Sequence, residues 1–276
     1  MDKAKGIAIC IGLNSVDPNH YQGWSGPLVA CEADAEDMTA IAKAGKYATT
    51  TLLTKKATRA AVTGALKAAA GKLEAGDTLL LTYSGHGGQV PDANGDEDDD
   101  TDETWCLYDG QLVDDELYAL FGGFARGVRI LVLSDSCHSG TVTRAAYMMA
   151  RSGARGDAGV RYRFMPPEVA LRVYRGNQDF YDDIAKGAKD ARDEGAVAAS
   201  VILISGCQDN QLSQDGAFNG LFTGQLLKVW NGGRFRSGHR RFHANILTSM
   251  PPDQSPNYYV VGAANKTFER KRPFTI

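Results

Sequence analysis

Two residues that could act together in catalysis, a histidine and a cysteine, follow two separate apolar runs. The run LLLTYSGHGG (residues 79–88) places His86 in a glycine-rich turn, and LVLSDSCHSG (residues 131–140) places Cys137 after the second run. A thiolate is a strong nucleophile, and a nearby imidazole can take up its proton and later return one to a leaving amine. Backbone N–H groups after each run, those of Gly87 and Cys137, could form an oxyanion hole. This combination predicts acyl transfer, most simply peptide hydrolysis.

Other interpretations of the same residues stay open. A histidine after a strand is often structural, and a lone cysteine usually packs in a core, as Cys10 is expected to do. His138 could be the base in place of His86, although a residue next to the nucleophile tends to point elsewhere. A metal site of Cys137, His86 and His138 lacks the paired ligand spacing of zinc sites. A thiol acyltransferase, or a binding and regulatory module without turnover, could use the same pair.

The two apolar runs belong to an alternation of strands and helices that must position them. Continuous apolar runs predict strands covered on both faces, and their alternation with amphipathic helices predicts an α/β fold with a mostly parallel β-sheet flanked by helices on both faces. Side chains of a site in such a sheet gather beyond the carboxyl ends of the strands, so His86 and Cys137 share a cleft if their strands are neighbours. The predicted strands cover residues 6–13, 49–54, 77–85, 128–135, 200–207 and 257–262, and the predicted helices cover 28–44, 58–73, 114–124, 167–190 and 219–230.

The paired motifs YSGHGG and DSCHSG resemble those of the caspase-like clan of cysteine peptidases, and within it the metacaspases and bacterial orthocaspases. A histidine about 50 residues before the cysteine is typical of caspases, but the QACRG-type motif of true caspases is absent. The resemblance runs from GIAICIGLN to NYYVVG and leaves out a charged insertion at about 144–198. It implies a single caspase-like peptidase domain over residues 1–276 and an endopeptidase with a Cys-His dyad.

The resemblance also implies a substrate pocket. Metacaspases cleave after arginine or lysine, and the positions that match their pocket are Cys31, Asp34, Ser84 and Asp135. Asp135 lies two residues before Cys137, so strand alternation sends both side chains to the same side, where a carboxylate favours a basic substrate residue. Ala33 stands where the family has asparagine, but the neighbouring Asp34 keeps its place. The alternatives are a solvated helix face for Asp34 and a structural, turn-capping carboxylate for Asp135.

An acidic loop, DANGDEDDDTDE (residues 92–103), has the ligand rhythm of a calcium loop. Glu97 stands where an EF-hand needs glycine, and no helix precedes the loop. Many metacaspases are activated by calcium through acidic residues in this part of the chain. The resemblance therefore suggests a Ca²⁺ site, and the alternative is a solvated loop that attracts basic substrates. No cofactor is expected to be required for the chemistry itself. The suggested ligands are Asp96, Asp98, Asp100 and Glu103.

Composition and charge limit the other function classes. A net charge of −3 over 276 residues argues against a nucleic-acid partner, and a solvated basic face is the better interpretation of the arginines at 234–241. No apolar stretch is long enough to span a membrane, and no secretory signal is evident, so we expect a cytoplasmic monomer without a membrane partner. The expected partners are protein or peptide substrates with arginine or lysine before the cut bond. The arginines of the insertion, Arg161 and Arg163 among them, make self-cleavage there one hypothesis and a folded lid the alternative.

Overall fold

The computed structural model describes residues 3–92, 101–136, 161–193, 197–207, 214–216, 218–252 and 254–276. Its strands and helices are numbered in chain order. They are β1 (Gly6–Gly12), α1 (Cys31–Ala44), β2 (Ala48–Leu53), α2 (Arg59–Ala70), β3 (Thr78–Ser84), β4 (Gly87–Pro91), β5 (Thr101–Leu107), β6 (Gly110–Val113), α3 (Asp114–Gly122), β7 (Arg129–Asp135), β8 (Arg161–Tyr162), α4 (Pro167–Gly176), α5 (Gln178–Asp193), β9 (Ser200–Ser205), β10 (Gln214–Asp215), α6 (Leu221–Trp230), α7 (His239–Thr248), β11 (Asn257–Gly262) and α8 (Lys266–Arg270).

A six-stranded sheet forms the centre of the described structure. Its strand order is β11-β9-β7-β3-β1-β2; five strands run parallel, and the edge strand β11 runs antiparallel to β9. Every residue of β3 and six of the seven in β7 are buried, as expected of strands covered on both faces. The predicted α/β class and the mostly parallel sheet are confirmed, and each of the six predicted strands belongs to this sheet.

Side-chain alternation along β3 divides the core between the two faces of the sheet. Leu79 and Leu81 lie in one cluster with Val62 of α2, whereas Leu80 lies in a second cluster with Met38 of α1. Helices α2 and α3 cover the first face, and α1, α6 and α7 cover the second. Full burial of a leucine side chain stabilises a fold by about 1.5–3 kcal/mol. Because its side chains are packed on both faces, β3 is held in one position in the sheet. The turn that follows it therefore starts at a defined place.

A small antiparallel sheet of β4, β5 and β6 follows β3, where no element was predicted. Strand β4 begins at Gly87, directly after His86. Residues 93–100, which hold most of the acidic loop, lie outside the described residues. Short strands beside a very polar segment carry little periodicity, which explains why the pattern gave no signal. This sheet fixes the turn at His86, because the N–H of Cys106 in β5 donates to the His86 carbonyl at 2.9 Å.

The predicted helix 167–190 is two helices, α4 and α5, which meet at Asn177. This residue has φ −134° and ψ 31°, outside the helical region. Its side-chain amide donates to the carbonyls of Val173 (2.8 Å) and His20 (3.2 Å). A side-chain bond of this kind competes with continuation of the helix. Val173 and Tyr181 are buried, so this part of the insertion packs against the rest of the described structure.

Helices α7 and α8 lie near the C-terminal end, where no helix was predicted. In α7 the basic stretch carries apolar residues with a helical spacing of four, Phe242 and Ile246, and both are buried. The interleaved arginines hide this short apolar stripe in the sequence. Cys10 of β1 is fully buried, as expected for a core thiol. None of the helices in the described parts of the chain combines the length and apolar character needed to cross a lipid bilayer.

Candidate functional site

The carboxyl ends of β1, β3 and β7 lie side by side. Ser84 at the end of β3 is the register partner of Asp135 in β7 and of Gly12 in β1. The turns that follow β3 and β7 therefore start at the same edge of the sheet. His86 belongs to the first of these turns. Cys137 is the second residue beyond β7 and lies, with His138, outside the described residues.

Hydrogen bonds and ring packing fix His86 in a buried position. The hydroxyl of Tyr83 donates to the His86 carbonyl at 2.7 Å, and the Tyr83 ring stacks on Trp105 with centroids 4.5 Å apart. The imidazole packs against Trp24, with centroids 4.8 Å apart, and its Nε2 lies 2.9 Å from the carbonyl oxygen of Gly26. Gly26 has φ +49°, and a Cβ atom there would clash with both rings. Glycine at this position is therefore required for the histidine to lie where it does.

The hydrogen bond to Gly26 determines which nitrogen of His86 can accept a proton. A carbonyl oxygen can only accept, so Nε2 carries the hydrogen. Nδ1 is buried and has no hydrogen-bond partner among the described residues. Burial, aided by the charge of Arg163, lowers the His86 pKa to about 4, against the raising effect of the Gly26 and Phe164 backbones. At neutral pH the imidazole is uncharged, with a lone pair available at Nδ1.

The described chain beyond β7 reaches Ser136, the residue before Cys137. Ser136 is fully buried, and its hydroxyl lies 2.9 Å from that of Ser134. The thiol of Cys207, which follows β9, donates to the Ser136 carbonyl at 3.3 Å. The Trp105 indole N–H donates to Ser134 at 3.0 Å. The residues that lead to the predicted nucleophile are thus held by hydrogen bonds from Trp105 in β5 and from Cys207 after β9.

The four residues expected to line the substrate pocket lie close together at this edge. The Ser84 hydroxyl donates to Asp34 Oδ2 at 2.8 Å, and Asp34, in the first turn of α1, is 1% exposed. That burial is inconsistent with the solvated helix face considered for it. Asp135 accepts from the N–H (3.1 Å) and the hydroxyl (2.7 Å) of Thr223 in the first turn of α6. Cys31 is fully buried, and burial raises its thiol pKa to about 12, so its side chain is uncharged.

A third carboxylate, that of Asp215, belongs to the same pocket and was not predicted. Its Oδ2 accepts from the Val29 N–H at 2.8 Å and its Oδ1 from the Ala30 N–H at 3.3 Å, at the start of α1. Asn219 donates to Asp34 Oδ1 at 2.9 Å, and the Gly220 N–H donates to the same atom at 3.1 Å. Asp215 and Asn219 come from a stretch without apolar periodicity. No sequence signal would have linked them to Asp34 and the start of α1, more than 180 residues away.

An arginine of the chain itself, Arg163, fills this pocket. Its Nη2 donates to Asp34 Oδ2 (2.8 Å) and to Asp215 Oδ1 (2.9 Å). Its Nη1 donates to the Ser84 hydroxyl (2.8 Å) and lies 2.9 Å from Asp135 Oδ2. The side chain is 0% exposed. Three carboxylates and a hydroxyl therefore surround one guanidinium, so the pocket has the shape and charge to hold arginine.

The backbone around Arg163 also makes ordered contacts. The N–H of Gly87 donates to the Arg163 carbonyl oxygen at 3.0 Å, and the Met165 N–H donates to the Gly87 carbonyl at 2.7 Å. Just before it, β8 pairs antiparallel with β10, with Arg161 opposite Asp215. The predicted oxyanion donor at Gly87 thus lies against the carbonyl of the residue whose side chain fills the pocket.

Three carboxylates face one guanidinium in this pocket, and burial and charge act in opposite directions on the pKa values of Asp34 and Arg163. Burial raises the Asp34 pKa to about 6, although Arg163 acts to lower it. For Arg163, burial acts to lower the pKa, but Asp135, Cys31, Asp34 and Asp215 outweigh it, so the pKa lies well above its ordinary value. Its guanidinium is therefore charged at neutral pH.

Of the four suggested calcium ligands, one is described. Glu103 lies in β5 and is half-buried. Asp96, Asp98 and Asp100 lie outside the described residues. Among the residues that are described, no three His, Cys, Asp or Glu side chains are grouped so that they could hold a metal ion.

Comparison with known families and sequences gives consistent matches. The family model of the caspase domain, Peptidase_C14, matches residues 5–264. The chain is 32% identical over 248 residues to Metacaspase-1 of Cryptococcus neoformans, and the aligned region covers 79% of this chain and 53% of that protein. It is 30% identical over 203 residues to Metacaspase-1A of Aspergillus oryzae, and the aligned region covers 66% of this chain and 48% of that protein. The chain spans about half the length of these curated relatives.

Two solved structures resemble this one over nearly the whole chain. Protein GSU0716 from Geobacter sulfurreducens matches with a TM-score of 0.89 and 58% identity, covering 98% of both chains. Caspase-1 from Spodoptera frugiperda matches with a TM-score of 0.54 and 11% identity, covering 94% of this chain and 87% of that one. The second match is a likeness of fold alone.

Proposed function

We propose that this chain, which belongs to the caspase-domain family of cysteine peptidases, hydrolyses peptide bonds that follow arginine or lysine. The observation that carries the proposal is the set of contacts around Arg163. A guanidinium bound by Asp34, Asp135 and Asp215 lies beside a carbonyl bound by the Gly87 N–H. A peptide substrate needs both contacts, one for its side chain and one for the carbonyl under attack.

The proposed reaction uses Cys137 as nucleophile and His86 as base. Nδ1 of His86 takes the thiol proton, and the sulfur attacks the carbonyl carbon of the basic residue. The N–H groups of Gly87 and Cys137 stabilise the negative oxygen that forms. The carbon–nitrogen bond breaks, and His86 gives the proton to the leaving amine. Water then hydrolyses the thioester and restores the thiol.

The pocket accounts for the proposed preference by charge. An aspartate side chain would meet three buried carboxylates, and like charges so close together repel strongly where water is excluded. A lysine ammonium carries the right charge but cannot reproduce the two-sided contacts of Nη1 and Nη2. We therefore expect turnover to be fastest after arginine, slower after lysine and lowest after aspartate.

Reporter peptides that differ only in the residue before the cut bond test this proposal. We expect arginine to exceed aspartate at least about 100-fold in kcat/KM, which corresponds to the loss of one or two charged hydrogen bonds. The Arg163→Ala variant is assayed in parallel, so that a filled pocket is not mistaken for an inactive enzyme. Equal turnover of the arginine and aspartate peptides would contradict the proposed specificity.

Two variants test the assignment of the nucleophile. Cys137→Ala should abolish turnover, whereas Cys10→Ala, which removes a core thiol of β1, should retain it. Release of free amine without an added acyl acceptor would exclude a transferase. Binding of arginine peptides without turnover by any variant would instead support a non-catalytic module.

Stimulation by calcium is a further part of the proposal, based on the acidic loop and on the resemblance to metacaspases. Asp96, Asp98, Asp100 and Glu103 would supply oxygen ligands, which calcium prefers. The ion would stabilise the acidic loop and take no part in bond cleavage. Turnover of the arginine reporter is compared with added calcium, with a chelator and with magnesium at the same ionic strength. Identical rates would remove calcium from the proposal.

A further inference from the structure

A cavity lies beside the C-terminal half of α1, away from the pocket that holds Arg163. This basal cavity is lined by residues within the ranges 3–6, 37–48, 227–233 and 272–276. Its volume of about 1060 Å³ is as large as that of sites that take drug-sized molecules. Helices α1 and α6 form two of its walls, through Ala44 and Trp230 at their last residues. Ten residues separate Asp34 from Ala44, which is about 15 Å along a helix, so the basal cavity is distinct from the proposed catalytic cleft.

The floor of the basal cavity is aliphatic. Ala40 and Ala44 of α1 are exposed there, and Ile41 of α1 and Leu227 of α6 lie beside them. Alanine side chains are short, so this stretch of α1 leaves space that longer side chains would fill. An apolar chain laid on this floor removes its own surface and that of the floor from water, which stabilises binding.

An arginine already covers the aromatic ring that lines the cavity. The Arg272 guanidinium lies over the Trp230 ring, 4.6 Å from its centroid, and the Phe274 ring packs against the same ring with centroids 4.8 Å apart. Flat bases bind proteins by stacking on free aromatic faces. The ring face under Arg272 is not free for such a contact, which favours an aliphatic ligand over a nucleotide.

Positive charge collects around the same cavity. Lys3, Lys5, Lys46 and Arg272 line it, and none of them forms a salt bridge with a carboxylate of the described residues. The Arg272 Nε is buried and has no hydrogen-bond partner in the described parts of the chain. A negatively charged group would therefore meet several cations that are not already paired.

The surroundings of these cations do little to compensate their charge. Burial, aided by the charge of Arg236, lowers the pKa of Arg272. One acidic side chain, that of Asp37, also lines the cavity, but it accepts a hydrogen bond from the side-chain amide of Asn219 at 2.9 Å. The basal cavity thus combines an apolar floor with an excess of positive charge.

We propose that the basal cavity binds an organic anion with an aliphatic body, the chemistry shared by long-chain carboxylates and alkyl phosphates. The floor contacts the chain, and the lysines and Arg272 bind the head group. A ligand of this class needs both parts, because inorganic phosphate lacks the chain and a cationic amphiphile meets like charges. The inference goes beyond the proposed peptidase function and does not depend on it.

Calorimetric titration of the full chain with dodecanoate, below the concentration at which it forms micelles, tests the site. We expect saturable binding to one site per chain. Octanoate should bind at least about tenfold more weakly, because four fewer CH₂ groups are buried. Dodecylammonium, inorganic phosphate and adenosine triphosphate should each bind more weakly than dodecanoate. The ratio of the affinities for dodecanoate and dodecyl phosphate identifies the preferred head group.

Two pairs of variants place the ligand in the basal cavity. Ala40→Trp, which fills the floor, should weaken dodecanoate binding at least about tenfold, because the chain loses its buried CH₂ groups. Ala68→Trp, at an exposed alanine of α2, is the matched control and should bind normally. Lys46→Gln should weaken binding about threefold through loss of one exposed charge. Lys43→Gln, at an exposed lysine of α1 outside the cavity, should have no effect. Thermal unfolding shows that each variant is folded.

Three results would overturn the inference. The first is the absence of saturable dodecanoate binding to the wild-type chain. The second is unchanged affinity in a folded Ala40→Trp variant, which would place the chain elsewhere. The third is dodecylammonium or adenosine triphosphate binding as tightly as dodecanoate, which would contradict the anionic head group or the aliphatic body. Because the readout is heat of binding, a failure to cleave arginine peptides would refute the proposed function and leave this inference standing.

Discussion

Gly220 lies directly against the guanidinium of Arg163. A Cβ atom at Gly220 would overlap Nη1, Nη2 and the carbon between them, while the glycine N–H donates to Asp34 Oδ1 at 3.1 Å. The residue has φ −58° and ψ 153°, which any amino acid can adopt. Glycine is therefore required here for space alone, and the space is that of an arginine side chain.

Gly220→Ala should block arginine at the pocket without disturbing the backbone. In the Arg163→Ala background, we expect kcat/KM for the arginine reporter to fall at least about tenfold, mostly through KM, because a side-chain contact is lost in binding and in the transition state alike. Gly224→Ala, in the helix α6 that begins directly after Gly220, is the control, since a Cβ atom there meets only ordinary contacts. An unchanged KM would show that substrate arginine does not lie where Arg163 does.

Asp215→Asn should weaken arginine recognition as strongly as loss of either carboxylate expected from the sequence. Asp215 holds Nη2 of Arg163 and at the same time accepts from two N–H groups at the start of α1. Loss of a charged hydrogen bond of this kind costs about 1.5–3 kcal/mol, or roughly 10- to 150-fold in kcat/KM. Asp179→Asn, at an exposed carboxylate of α5, is the control. Asp215→Asn kinetics equal to the control would leave Asp34 and Asp135 as the pocket's carboxylates.

The position of Ser84 and Asp135 at one edge of the sheet could be predicted from strand parity and apolar runs, whereas their place in a pocket was expected only from the resemblance to metacaspases. Ser84 and Asp135 lie opposite one another as a direct result of two buried strands ending together. Arg163 and Asp215 could not be predicted, because they come from stretches without periodicity and their contacts depend on tertiary packing. The turn at His86 was expected, but the small sheet that stabilises it was not.

Asp34 should make arginine binding sensitive to pH. Burial raises its pKa to about 6, and the charge of Arg163 acts to lower it. As the pH falls through this range Asp34 takes up a proton, and the pocket loses one of its negative charges. We expect KM for the arginine reporter to rise below about pH 6 in the Arg163→Ala variant. Asp34→Asn should have a high KM at all pH values, without this rise, and Glu36→Gln, on the exposed side of α1, should behave like its parent. If Asp34→Asn in the Arg163→Ala background kept the same rise in KM at low pH as its parent, the titration would belong to another group.

Two buried histidines should reduce stability on acidification. Burial lowers the pKa of His86 and of His239 to about 4, whereas the unfolded chain binds these protons near pH 6.5. Between these values the unfolded state holds more protons. The free energy of unfolding therefore decreases as the pH is lowered, by up to about 3 kcal/mol for each histidine.

Asp34, whose pKa is raised to about 6, holds its proton more tightly in the folded state and so adds stability as the pH falls below that value. This gain offsets only part of the loss from the two histidines. The Cys137→Ala protein should therefore show a lower midpoint of urea unfolding at pH 5 than at pH 7. His239→Gln, which removes a histidine whose Nδ1 lies 3.0 Å from the Phe268 carbonyl, should reduce this difference by more than half, because the opposing contribution of Asp34 stays in place. His243→Gln, at a half-buried site, is the control variant, because it keeps both buried histidines. A midpoint that does not fall between pH 7 and pH 5 in the Cys137→Ala protein would mean that the two imidazoles are not both neutral in the folded state.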